Sequence, residues 1–213
     1  RDSSPEHLYF MGLAYLNGID VEVSRDRALA LLTAASNFGL PEAVETLVSV
    51  YKHGNGVPAD PLTALHFQER LCVLRRKRFE ETADEIDCQD LIFALCDLGD
   101  DQLNAGQTVS ATKTYLELYD ICRGQADRLP DYPNVTAQNL TECCTRLGDV
   151  LRAEGRLDDA VICFEQALTH CRKLCEQSEE VYARMLSAKL CRSLGLTFQK
   201  LKKTDQAKCY FTQ

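Results

Sequence analysis

Cysteine is the first residue type to consider as a metal ligand or nucleophile, because the 213-residue chain contains eleven cysteines. Cys171 and Cys175 are four residues apart, with His170 beside them and Cys163 two turns earlier, so a helix would place several of these side chains on one face. A zinc site requires four converging ligands, commonly supplied by two closely spaced pairs. The sequence has no Cys-x-x-Cys pair. We therefore interpret these cysteines as small core residues and predict no metal site.

No other set of residues has the spacing of a catalytic site. The four histidines occur without a His-Glu-x-x-His motif and without a serine or cysteine in a recognisable nucleophile motif. The acidic pair Asp158 and Asp159 comes at the start of a predicted helix, where negative charge complements the helix dipole. The glycines on either side of Asn55 lack the Lys-Ser/Thr pair that follows a phosphate-binding loop. The sequence therefore favours a protein that is not an enzyme and needs no cofactor.

The overall charge argues against two classes of partner. The formal net charge is −8, whereas proteins that hold nucleic acid or an anionic lipid surface present clustered positive charge. No stretch approaches the roughly 18 apolar residues of a membrane-spanning helix. The odd number of cysteines, placed in helical patterns rather than in paired loops, favours reduced thiols and a cytoplasmic location. An exported protein with disulfides is the alternative.

Repeats in the sequence indicate which elements position the functional side chains. In the C-terminal half, a glycine is followed after twelve residues by an alanine and after sixteen by an aromatic residue. The three copies are Gly99, Ala111 and Tyr115; Gly148, Ala160 and Phe164; and Gly195, Ala207 and Phe211. The glycines are 49 and 47 residues apart, a period typical of stacked helical hairpins. With Leu147, Leu151 and Ala167, the second copy resembles the tetratricopeptide repeat, in a variant with longer helices.

The N-terminal third contains a second repeat with a shorter period. A Tyr-x-x-Gly motif ends at Gly18 and recurs at Gly54, a shift of 36 residues. We expect both glycines to end their helices in the left-handed conformation, which is easiest without a Cβ atom. This stretch, about residues 5–71, resembles the Sel1-like repeat family. Its first copy departs from the family pattern by having Asp20 where the second copy has Gly56.

Apolar residues with a period near 3.6, separated by glycine and proline, predict ten helices and no strand. The helices are expected at residues 5–17, 25–38, 41–53, 61–80, 87–105, 108–128, 135–154, 157–177, 179–202 and 205–213. The two resemblances imply an all-α fold, a right-handed superhelical solenoid of antiparallel helix pairs. We assign residues 1–80 to Sel1-like repeats and residues 81–213 to tetratricopeptide-like repeats, of which the last is truncated.

In tetratricopeptide arrays, the first helix of each pair lines a concave groove, and peptide contacts come from set positions on that helix. Counted from the repeat glycine, these positions give the candidate peptide-binding residues Asp100, Asn104, Asp149, Arg152, Lys189, Arg192, Gln199 and Lys200. The basic clamp with which some members hold acidic chaperone tails is absent, because aspartates occupy its asparagine position. The candidates are acidic early in the chain and basic late, so a peptide of the opposite polarity would complement them.

The resemblance thus implies an adaptor or scaffold that binds a peptide or a partner protein on its concave surface. The alternative is the regulatory or sensor arm of a larger enzyme or signalling protein whose catalytic part lies elsewhere. Free-standing catalysis has no support in the sequence, and the oligomeric state and the identity of the partner stay open.

Overall fold

The computed structural model describes residues 4–128, 133–177 and 181–212, which form ten α-helices and no strand. The chain divides into two compact units, Arg1–Gly106 and Gln107–Gln213. The N-terminal unit contains α1 (Pro5–Asn17), α2 (Arg25–Asn37), α3 (Pro41–His53), α4 (Pro61–Thr82) and α5 (Glu85–Asn104). The C-terminal unit contains α6 (Thr108–Arg128), α7 (Pro133–Ala153), α8 (Leu157–Gln177), α9 (Val181–Lys200) and α10 (Thr204–Phe211).

Within each unit, consecutive helices pack against each other, as short connections between helices require. Every described helix end lies within two residues of its predicted position, while the predicted first residue of α9 and last residue of α10 fall outside the described part. The predicted fold class, an all-α solenoid of helix pairs, is confirmed. The predicted change from one repeat type to the other near residue 80 stays a prediction.

Local signals explain why the helix starts could be predicted. Proline occupies the first turn of α1, α3 and α4, where its missing N–H costs no hydrogen bond. The Ser4 hydroxyl accepts a hydrogen bond from the His7 amide at 3.2 Å, and the Asp60 carboxylate accepts one from the Thr63 amide at 3.1 Å. Both side chains therefore satisfy amides that the first turn of a helix leaves unpaired.

The 36-residue repeat has the same backbone conformation in both copies. Gly18 and Gly54 end α1 and α3 with φ of 72° and 70°, so the prediction of left-handed caps is confirmed. Asp20, which replaces the glycine of the second copy, also has a positive φ of 57°, close to the 83° of Gly56. Aspartate is one of the few residues that tolerate this region, because its short side chain can hydrogen-bond locally. The departure in sequence therefore leaves the turn unchanged.

A hydrogen bond across each helical hairpin repeats with the same period. The Ser24 amide donates to the Tyr15 carbonyl at 3.1 Å, and the Asp60 amide donates to the Tyr51 carbonyl at 2.8 Å. Each bond joins the start of a second helix to the last turn of the first. The loop between the two helices is therefore held by an equivalent hydrogen bond in both copies.

The glycine and the aromatic residue of the longer repeat meet in the C-terminal unit. A Cβ atom at Gly148 would lie 2.7 Å from Cε1 of Phe164, and one at Gly195 would lie 2.5 Å from Cε1 of Phe211. Phe164 is completely buried, whereas Phe211 is half exposed. The glycine is therefore required by the close approach of the ring from the second helix, which explains why these two residues recur together.

The cysteines behave as core residues. All eleven are thiols in the structure, and eight are buried. Cys144 and Cys171 have no exposed surface. No helix in the described part of the chain is both long enough and apolar enough to cross a membrane.

Candidate functional site

The exposed side of α9 carries most of the basic candidates. At 100° per residue, Met185, Lys189, Arg192, Leu196, Gln199 and Lys200 fall within an arc of about 100°, and all six side chains are exposed. We call this set the α9 stripe. Leu190, Leu194 and Phe198 lie on the opposite side of the helix and are buried, so core packing fixes the direction in which the stripe faces.

The α9 stripe combines apolar surface with positive charge. Met185 is 67% exposed and Leu196 is 39% exposed, which makes them uncovered apolar side chains between three cations. Lys189, Arg192 and Lys200 form no ion pair with any residue that the structure describes. The stripe contains no carboxylate. It can therefore attract an anionic group while offering apolar contact on either side.

Three candidates from two repeats lie within electrostatic range of one another. Arg152 donates a hydrogen bond to the Asp149 carboxylate at 2.7 Å, and its guanidinium lies 5.4 Å from the centre of the Phe164 ring. Burial raises the pKa of the Asp149 carboxyl, while Arg152 and Lys189 act in the opposite direction. The register counted from the repeat glycine therefore places α7 and α9 candidates at one surface.

Two candidates, Asp100 and Asn104, belong to the N-terminal unit. Asp100 is half-buried and Asn104 is exposed, both near the end of α5. Asp101, the neighbour of Asp100, accepts a hydrogen bond from the Lys52 ammonium of α3 at 2.6 Å. Its second oxygen, Oδ2, is buried without a hydrogen-bond partner among the described residues. Whether Asp100 and Asn104 contact a ligand stays a prediction.

A groove between α3 and α5 was not found from the sequence. Its volume is about 450 Å³; α4 forms its floor, and α3 and α5 form its walls. Arg75 reaches up from α4 and forms ion pairs with Glu45 of α3, at 3.5 Å, and with Asp90 of α5. Phe93 projects from α5 and is 60% exposed. The sequence does contain a signal for the α5 wall of the groove, since apolar and acidic residues recur along α5 at helical spacing.

Three of the buried thiols are poorly suited to nucleophilic chemistry. Burial raises the pKa of Cys144 to about 12 and those of Cys163 and Cys171 to about 11, from an ordinary value of 9.0. Because the thiolate is the nucleophile, thiols that stay protonated at neutral pH are inert. Burial also lowers the pKa of His170, and the neighbouring Lys173 lowers it further. These groups therefore remain neutral near pH 7.

A second cavity, of about 460 Å³, lies between α8 and α9 and is lined by Arg172, Cys175, Arg184 and Cys191, with two small residues. No group of three or more histidine, cysteine or carboxylate side chains in the described part of the chain is arranged to hold a metal ion.

Comparison with known proteins supports the repeat architecture. The tetratricopeptide repeat model matches residues 141–170, which extend from the middle of α7 into α8. RapI in its apo form superimposes with a TM-score of 0.59 at 13% identity, over 98% of this chain and 68% of that one. No curated protein sequence matches the chain.

Two further solved structures have a similar fold. The nearly identical TPR-like repeats named for a kinesin light chain from Podosopora anserina give a TM-score of 0.58 at 16% identity, over 99% of this chain and 94% of that one. MamA AMB-1 gives 0.53 at 15% identity, over 99% and 96%. At these identities the similarity shows the fold alone.

Proposed function

We propose that this chain is a non-catalytic protein–protein interaction module that binds a polypeptide segment on the side of the C-terminal unit formed by α7 and α9. The observation that carries the proposal is the α9 stripe, in which three cations and two uncovered apolar side chains share one side of a helix. A surface with cations and apolar side chains on one side of a helix suits a segment that carries both acidic and apolar residues.

The charges specify the kind of segment that would bind there. Arg152 and Lys189 surround a single carboxylate, Asp149, and Arg192 and Lys200 add two more positive charges further along α9. The surface is therefore positive overall, although the whole chain is negative. A segment with acidic residues next to apolar ones complements it, and the acidic residues would also speed association.

The absence of catalysis and a cytoplasmic location belong to the same proposal. The buried thiols keep raised pKa values, and reduced thiols packed in a core are typical of a reducing compartment. In the same proposal, this chain acts as the scaffold for the protein that carries the segment.

Selection from a displayed library of random dodecapeptides tests the proposal with the full chain as bait. The test variant replaces Lys189, Arg192 and Lys200 with glutamate. A matched control replaces Lys113, Lys173 and Lys208, exposed lysines of α6, α8 and α10, with glutamate. Both variants change the net charge by the same amount, so a difference between them reports the position of the charges rather than their number.

We expect the wild-type chain and the control to enrich peptides that combine aspartate or glutamate with apolar residues. The α9 variant should enrich none of them, because like charges now face one another. Circular dichroism confirms that each variant is folded before selection. Equal enrichment by the two variants would contradict the proposal, and so would a wild-type selection that yields no acidic peptides.

A further inference from the structure

The second half of α9 exposes a single row of residues. From residue 189 to residue 200, seven residues are buried and five are exposed, and all five belong to the α9 stripe: Lys189, Arg192, Leu196, Gln199 and Lys200. With Met185 one turn earlier, successive members from Met185 to Gln199 are four, three, four and three residues apart. This alternation of four and three is the spacing along which one helix packs beside another. The stripe therefore has the width and the period of a surface that a second helix would cover.

The equivalent row of α7 already carries its own carboxylates. At positions 47 residues earlier in the chain, Glu142 corresponds to Lys189 and Asp149 corresponds to Leu196. Asp149 is paired with Arg152 at 2.7 Å, and Glu142 also has an interaction partner. The cations of the stripe, in contrast, form no ion pair with a described residue. The positive charge that a ligand meets is therefore on α9, beside the two exposed apolar side chains of the stripe.

We infer that the segment bound by the α9 stripe is itself an α-helix, with apolar residues at its positions 1 and 12 and acidic residues at its positions 5 and 8. This inference rests on the proposed function and adds the conformation and the residue pattern of the ligand. The positions follow from the stripe, because Lys189 lies four residues and Arg192 seven residues after Met185, and Leu196 follows after eleven. Steps of four, three and four read the same in both directions. The pattern is therefore the same for a parallel and an antiparallel ligand helix.

Two physical reasons favour a helical ligand over an extended one. The first is length: Met185 and Leu196 are separated by about 16 Å along α9, as two residues eleven apart are on any second helix. Four same-side residues of a strand extend over about 20 Å, so an extended ligand loses its match at one end. The second reason is hydrogen bonding. The backbone of α9 is already paired within its own helix, so an extended segment would find no backbone partners on it, whereas a helix pairs its own.

A synthetic dodecapeptide with leucine at positions 1 and 12, glutamate at positions 5 and 8 and alanine or glutamine elsewhere tests the inference with the full chain. Fluorescence anisotropy measures its affinity. A lactam bridge between positions 3 and 7, which face away from the stripe, holds the free peptide helical. Because short helices are marginal in water, the bridged peptide should bind about fivefold more tightly than the unbridged one. Proline at position 6 breaks the helix and should weaken binding by more than about tenfold.

Reversing the charges on both sides tests the residue pattern. The variant Lys189→Glu/Arg192→Glu should lose the glutamate peptide and gain affinity for the same peptide with lysine at positions 5 and 8. A matched control, Lys113→Glu/Lys208→Glu, changes the net charge equally at exposed lysines of α6 and α10. The control should keep the preference of the wild-type chain for the glutamate peptide, since its altered residues lie outside the stripe.

The outcomes separate this inference from the proposed function. If the library yields acidic peptides but the designed peptide does not bind, or binds equally well with proline, the inference is wrong and the proposed function stands. If neither the library nor the designed peptides bind, both are wrong. Sedimentation of the chain alone covers one more occupant of the stripe. Self-association that Lys189→Glu/Arg192→Glu abolishes and the control variant keeps would assign the stripe to a second copy of the chain and overturn the inference.

Discussion

The contact between Gly148 and Phe164 predicts whether alanine at residue 148 raises or lowers the free energy of unfolding, and by how much. A Cβ atom at residue 148 would lie 2.7, 2.9 and 3.0 Å from three ring atoms of Phe164, whereas carbon atoms in good contact are about 3.5 to 4.0 Å apart. Phe164 is completely buried, so its ring has no room to move. Overpacking of this kind costs about 1 to 3 kcal/mol.

Two comparable glycines calibrate that cost. Gly124 lies within α6, and a Cβ atom there would meet nothing within 4 Å. Gly124→Ala should therefore gain the difference in helix propensity, about 1 kcal/mol of unfolding free energy. At Gly195 the clash is with Phe211, which is half exposed in the last helix and can turn towards solvent. There the two contributions nearly cancel, leaving a change of about 0.5 kcal/mol or less.

Urea unfolding of the three alanine variants measures these differences. We expect Gly148→Ala to lower the unfolding free energy by about 1 kcal/mol, the overpacking cost less the gain in helix propensity. Combining it with Phe164→Leu should remove most of this penalty, which a double-mutant cycle detects as coupling. The reasoning is refuted if Gly148→Ala is as stable as Gly124→Ala, or if it is no more destabilising than Gly195→Ala.

Two further predictions concern buried polar groups. Lys52→Met should destabilise the chain by about 2 kcal/mol in urea unfolding, because it leaves the Asp101 carboxylate without its ion pair. Asp101→Asn should destabilise the chain less, and an equal loss of unfolding free energy in the two variants would contradict this prediction. In alkylation by iodoacetamide at pH 8, Cys209, which is exposed, should react first and Cys144 only after unfolding. Since folding raises the pKa of Cys144 from 9.0 to about 12, the stability that this protonated thiol contributes is lost as the pH rises above 9. Rapid labelling of Cys144 in the native chain would refute the second prediction.

The helices could be predicted from the sequence because their signals are local. Proline and a capping side chain mark starts such as Pro5 and Pro61, and glycine marks ends such as Gly54. Asp20 shows a limit of such reasoning: the sequence departs from the repeat there, while the backbone keeps the same left-handed turn. Because aspartate tolerates this turn, the two copies share a backbone conformation while their residue types differ, and a comparison of residue types misses the match.

The candidate sites could be predicted only in part, because they depend on which helices become neighbours. Register within the repeat selected Asp149, Arg152 and Lys189, whose charges interact in the structure, while their binding role stays a prediction. The α3–α5 groove needed the structure, since it depends on Arg75, a residue of α4 that no repeat position identifies. Long side chains that join two other helices leave no periodic trace in a sequence.

The Arg75 bridge has a kinetic consequence for any ligand of the groove between α3 and α5. Because one side chain contacts both walls, we expect the groove to keep its width when a ligand binds, so that no opening step has to precede binding. A preformed site spares the ligand the free energy of ordering it. Association should then occur in a single phase whose rate rises linearly with ligand concentration. Differences in affinity among ligands should come from their dissociation rates.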